Sequence, residues 1–272
     1  SKLLASGIID TLYNNIYYLV IGKYFSASDL GLFTRANQFS LFISANLTAI
    51  VQKVSYPVLC NINVESNDVL LRNTYQRIIK ATMLVTFLLM LGLVAVAKPL
   101  IIILIGVEWF PSIVYLQISC FAGMLYPLNA INLNILMVKG HSDIFLKLEI
   151  LKKTIGIAPI IIGTLCGIKI MLIGIVVFSF ISYFLNSYYS ARLINYTTLD
   201  QIKDILPGFL VASIVSFAMW SITLLNLSYV IILIMQFLVG VLLSIGFFER
   251  LKLSEFIELK QIMLSFIKNK KI

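Results

Sequence analysis

Apolar runs of about twenty residues recur along almost the whole chain, separated by short polar breaks. A helix needs about 20 mostly apolar residues to cross a bilayer. On that measure the pattern predicts about eight spanning helices. They are Leu3–Gly22, Gln38–Cys60, Ile79–Ala97, Pro111–Val138, Thr154–Ile170, Met171–Ile194, Ile205–Leu225 and Leu227–Phe248. A tight turn at Gly167–Lys169 divides the fifth from the sixth. The segment PLIIILIGV after Lys98 is too short to span, so it extends the third helix or lies at the interface. The alternating strands of a β-barrel are not seen. The fold class is therefore an all-α polytopic membrane protein. The first six spans fall within residues 1–204 and the last two within 205–248, and a basic tail follows at 249–272.

Alternating the spans sorts the basic residues unevenly. One side receives Lys2, Arg72, Arg77, Lys80, Lys139, Lys147, Lys152, Lys153, Arg192, Lys203 and the lysine-rich tail. The other receives only Lys23, Arg35, Lys98 and Lys169. The excess of Lys and Arg marks the cytoplasmic side. Both chain ends are then cytoplasmic, and the hairpin at residues 23–35 faces outward. Apolar residues spaced along the tail, among them Phe256, Ile257 and Ile267, predict an amphipathic helix on the inner leaflet.

Polar residues at membrane depth are costly and need a reason. Asp10 and Asn14 share a face of the first helix, and Asn15 follows. In the second helix Ser44, Thr48, Gln52 and Ser55 form a stripe, flanked by Asn46 and Lys53. The fourth contributes Gln117, Tyr126, Asn129, Asn132 and Asn134. Two readings stand side by side. These residues line a polar cavity with Lys53 as its cation and Asp10 as a titratable group, or they bond between helices while Lys53 snorkels to the interface.

Composition sharpens the class. Of 272 residues, 60% are hydrophobic and 12% charged, where a soluble domain has about 25% charged. The net charge of +9 follows from topology, and nucleic acid is not an expected partner. Cys60, Cys120 and Cys166 have neither metal spacing nor a disulfide pattern. The single histidine, His141, sits in a KGHSD turn and reads as a cap or a solvated residue. No catalytic motif appears, and neither an enzymatic role nor a cofactor or metal is expected. The chain starts with Ser1, and its first residues already belong to a span, so an upstream part is expected.

The stretch IGKYFSASDLGLFTRANQF after DTLYNNIYYLV is similar to the second half of bacterial polysaccharide exporters. SYPVL, the long segment Ala97–Gly140 and SDIFLKLEILKK carry the same resemblance, which covers about Leu3 to Pro207. These are the Wzx-like flippases of the multidrug/oligosaccharidyl-lipid/polysaccharide superfamily. The resemblance implies two six-helix bundles around a central cavity, working by alternating access. Residues 1–204 would be the second bundle. The implied cargo is an undecaprenyl-pyrophosphate-linked oligosaccharide crossing the inner membrane for O-antigen, capsule or exopolysaccharide synthesis. Membrane lipids, H+ or Na+, and a polymerase and its assembly machinery are the implied partners.

On this reading Lys53 meets the pyrophosphate, and Asn14, Asn15, Asn46, Gln52, Asn129 and Asn132 pair with sugar hydroxyls. Asp10 couples the ion. Lys23, Asp29 and Arg35 are outer-gate candidates, although Asp29 can equally cap a short turn at Ser26–Ser28. A multidrug antiporter with a cationic cargo, or a membrane enzyme of polysaccharide assembly, are the alternatives.

Overall fold

The computed structural model describes residues 15–65 and 67–251. Helix α1 covers residues 15–24 and breaks only at Phe25 and Ser26. Helix α2, Ala27–Val64, begins there. Its start is a capping box. Ser26 Oγ accepts from the Asp29 N–H (3.1 Å), and the Asp29 carboxylate accepts from the Ser26 N–H and hydroxyl. The expected polar hairpin is thus a two-residue corner, and Asp29 is its cap. A helix of 38 residues is about 57 Å long, well beyond the roughly 30 Å of hydrocarbon.

Helix α3, Asp68–Ile105, runs back, capped by Asn67 Oδ1 on the Leu70 N–H (2.9 Å). It passes straight through Pro99, so PLIIILIGV is an extension of the third span. A 3₁₀ turn at Val107–Trp109 leads to α4, Ser112–Gly123, and α5, Tyr126–Val138. These two are one crossing with a step at Met124–Leu125. Gly123 lets the helices approach closely at the step: a Cβ there would lie 2.7 Å from Met90 Cε and 3.2 Å from Ser44 Cβ.

Next come α6, Ser142–Ile155, and α7, Ala158–Cys166. The segment carrying Lys147, Lys152 and Lys153, expected as a loop, is helical. The fifth span is accordingly in two pieces, interrupted at Gly156–Ile157. Gly167, at φ +98°, turns the chain into α8, Ile168–Ile194. Cβ atoms on Gly163 and Gly174 would strike Met171 and Pro159, so α7 lies tightly against α8. Helix α9, Thr198–Ser221, starts with a second capping box, Thr197 with Asp200, and α10 is Tyr229–Leu251.

Five stretches among the described residues are long and apolar enough to cross a membrane: α3, α4–α5, α8, α9 and α10. The first predicted span lies mostly outside the described residues. The second, inside α2, is long enough but too polar, and the fifth is broken. The predicted tail helix also lies outside them, apart from its first residues at the end of α10.

Helices α2 to α5 and α8 share one core, with Tyr75, Met83, Leu116 and Leu128 fully buried. Helix α9 lies along α3: Phe87 and Phe209 meet edge to face at 5.2 Å, and Ser216 donates to the Leu91 carbonyl (2.6 Å). Helix α10 packs on both. Its buried Gln236 donates to the carbonyls of Ala95 (3.3 Å) and Met219 (3.0 Å). Ala95 is four residues before Pro99, which has no N–H to offer it.

Candidate functional site

The polar residues at membrane depth fall into three groups. The first is a sealed network where α3, α5, α8 and α9 meet. Asn132 is 0% exposed. Its Oδ1 accepts from Tyr75 (2.9 Å), Ser190 (2.6 Å) and Gln201 (3.1 Å), and its Nδ2 donates to Gln201 and to the Leu128 carbonyl. Asn129 accepts from Asn186 (2.8 Å). Beside them the Asp204 carboxylate accepts from Tyr196 (2.7 Å) and Gln76 and pairs with Lys80 (3.1 Å). Burial, and then the bond to Asp204, hold the Tyr196 hydroxyl far above the ordinary tyrosine range. This proton stays in place as a donor. Asn132, assigned by sequence to a sugar-binding cavity, is committed to protein partners on every side.

Ser190 and Asn186 of that network belong to a stripe on α8 that sequence reasoning passed over. Ser179, Ser182, Tyr183, Asn186, Ser187 and Ser190 are all buried. Their spacing of three and four residues is the signal that would have found them.

The second group is the outward face of α2. The expected stripe does not lie on one accessible side. Ser44 and Ser55 point into the bundle, and Ser44 donates to the Ser40 carbonyl. The flanking Asn46 and Lys53 are seven residues apart and share the opposite, exposed face. Phe42 and Tyr56 accompany them, and Gln52 is exposed beside them. Asn46 donates to the Phe42 carbonyl. Pro57 lacks the N–H that would bond the Lys53 carbonyl. Lys53 stands about 11 Å from the midpoint of α2, at 1.5 Å per residue. Toward the start of α2, Arg35 lies over the Trp109 ring (5.7 Å) and donates to Gln38 (3.2 Å). Lys23 lies over the neighbouring Tyr24 ring. Asn15 is exposed at the first described turn, and Asp10 and Asn14 lie outside the described residues.

The third group lines a cavity of about 340 Å³ between α1, α2, α4, α5 and α8. Its polar lining is Tyr17, Tyr18, Asn37, Ser40, Ser119 and Tyr126. Asn37 Nδ2 donates to the Tyr18 hydroxyl (2.7 Å), and Tyr17 donates to the Gly156 carbonyl (3.3 Å) at the α6–α7 break. Ser119 is 6% exposed, and its hydroxyl has no hydrogen-bond partner among the described residues. Sequence reasoning named Tyr126 but not the rest. A more open, almost wholly apolar groove of about 410 Å³ lies between α3, α9 and α10.

This architecture has counterparts. Residues 1–114 match the family described as polysaccharide biosynthesis protein. The teichuronic acid biosynthesis protein TuaB of Bacillus subtilis is 28% identical over 141 residues, 52% of this chain and 29% of its own. The lipopolysaccharide biosynthesis protein WzxC of Escherichia coli is 26% identical over 161 residues, 59% of this chain and 32% of its own.

Over these segments the chain is similar to polysaccharide biosynthesis proteins of the Wzx kind.

Among solved structures, the lipid II flippase MurJ in its inward closed conformation has the same fold, with a TM-score of 0.70. That match has 17% identity and covers 90% of this chain and 52% of MurJ. The chain therefore spans about a third of the curated relatives it matches and about half of this flippase. Its long apolar helices mark a multi-pass membrane protein.

Proposed function

We propose that this Wzx-like chain is the second bundle of a flippase that carries undecaprenyl-pyrophosphate-linked oligosaccharide across the bacterial inner membrane. The product serves surface polysaccharide synthesis: O-antigen, capsule or exopolysaccharide. The observation that carries the reading is the exposed face of α2. A long helix in a protein of this class presents Asn46, Gln52 and Lys53 outward from its own bundle. Cations and amides at such depth call for an aqueous passage or a polar partner. A pyrophosphate needs a cation, and sugar hydroxyls need amides. The function is transport rather than catalysis. Alternating access would expose this face to each side in turn, driven by H+ or Na+, with Asp10 as the coupling group. The basic residues near Val64, Lys139 and Ile194 lie at the cytoplasmic rim, and Arg35 and Lys23 at the outer one. A polymerase would receive the product.

The test is export of lipid-linked saccharide by the full-length transporter at matched expression. Lys53→Ala should reduce it about tenfold, and Lys53→Arg should retain most of it. Equal export by both variants sinks the role of Lys53. A cysteine at Ser28 should label with an impermeant thiol reagent from outside. Labelling only after lysis would reverse the orientation.

A further inference from the structure

We infer that the cavity between α1, α2, α4, α5 and α8 is a saccharide subsite, which holds one or two sugar rings of the cargo apart from its pyrophosphate. The inference rests on the flippase reading and assigns it a second contact region. The chemistry of the lining selects the ligand. Tyr17, Tyr18 and Tyr126 supply flat ring faces with a hydroxyl at the edge, suited to the C–H faces and hydroxyls of a pyranose. Asn37 presents an amide, which both donates and accepts. Among the described residues the cavity lining contains no Lys, Arg, Asp or Glu. A pyrophosphate would lack its cation there, and a bare metal ion would lack a carboxylate. A neutral polyol is the class these described residues fit.

Two further observations favour an occupant. Ser119 Oγ is buried against the cavity with its hydrogen-bonding capacity unused among the described residues. Leaving such a group unmatched costs about 1–3 kcal/mol, which a ligand hydroxyl would recover once the Ser119 side chain rotates toward the cavity. The floor is also closely packed. Gly123 brings α4 against Ser40, Ser44 and Met90, and Phe33 meets the Tyr18 ring edge to face at 5.4 Å. A preformed site of this kind binds without reordering its walls. The volume of about 340 Å³ falls within the usual range for small-ligand sites of roughly 300–1,000 Å³. Tyr17 links the cavity to the interruption between α6 and α7 through the Gly156 carbonyl.

The experiment measures binding to the purified full-length transporter in nanodiscs. The probes are undecaprenyl pyrophosphate without sugar, and the same lipid bearing a hexose, an N-acetylhexosamine or a deoxyhexose. At least one sugar-bearing lipid should bind more tightly than the bare one. Asn37→Leu, Ser119→Val and Tyr126→Phe should each erase about three- to tenfold of that advantage. Affinity for the bare lipid should not change, which also shows that the variants are folded. The subsite is overturned if no sugar improves binding, or if the advantage survives all three substitutions. It is overturned in favour of an ion site if the variants instead abolish a sodium-dependent shift in thermal stability. Failure of the bare lipid to bind removes the flippase reading as well. Binding of the bare lipid with no sugar advantage removes the subsite alone.

Discussion

The Asn132 network and the Tyr18–Ser119 cavity are built from the same few residue types, yet they do opposite things. Around Asn132 the polar groups of Tyr75, Ser190 and Gln201 meet from different helices, and all four residues are fully buried. In the cavity the polar groups border open space: Asn37 is bonded to Tyr18 and Tyr17 to Gly156 along the wall, and the Ser119 hydroxyl is unmatched among the described residues. Between lipid-bathed helices there is no strong hydrophobic drive to associate, so packing and interhelical bonds specify the assembly. The Asn132 cluster does that work, and its own groups are spent on one another. A polar residue in a membrane helix is therefore no sign of a transport path until its bonds are accounted for.

The contrast can be broken by substitution. The largest effect is expected for Asn132→Leu. It strips three donors of their shared acceptor and should destabilise the protein by about 2–4 kcal/mol in a denaturant titration. Asp204→Asn keeps acceptors for Tyr196 and Gln76 but loses the ion pair with Lys80. A loss of about 1–2 kcal/mol is expected in the same titration. Ser26→Ala removes a helix cap and should cost about 1 kcal/mol. Ser119→Ala should cost least, within about 0.5 kcal/mol, because there is no bond to lose. If Ser119→Ala proved as damaging as Asn132→Leu, the distinction between sealed and open polar groups would collapse.

Much of the helix pattern was legible in the sequence, because apolar runs of spanning length have few other uses. The turn at Gly167 was legible too, since a glycine between two apolar runs marks a reversal. The helix at Ser142–Ile155 was not. Its lysines suggested a loop, although its first turn carries Asp143 and its last Lys152 and Lys153, as a helix dipole favours. Direction was the harder matter. In lipid both faces of a helix can be apolar, so period alone does not say which side of α2 looks inward. Ser44 and Ser55 went inside, while Asn46 and Lys53, on the opposite face, stayed out. The cavity was nearly invisible, because Tyr18, Asn37 and Ser119 come from three helices and share no spacing.

Pro99 and Gln236 sit 137 positions apart, yet one repairs the fault the other makes. The proline leaves the Ala95 carbonyl without its helical partner, and the amide of α10 supplies one. Such a pair should be inherited together. A lineage that replaced Pro99 by alanine would restore the missing N–H and relax the requirement for an amide on α10. One that kept the proline and lost the glutamine would strand a carbonyl in hydrocarbon. Among homologues, the two columns should change in step, and the helix pair would then carry in its ancestry a record of a single ring closure.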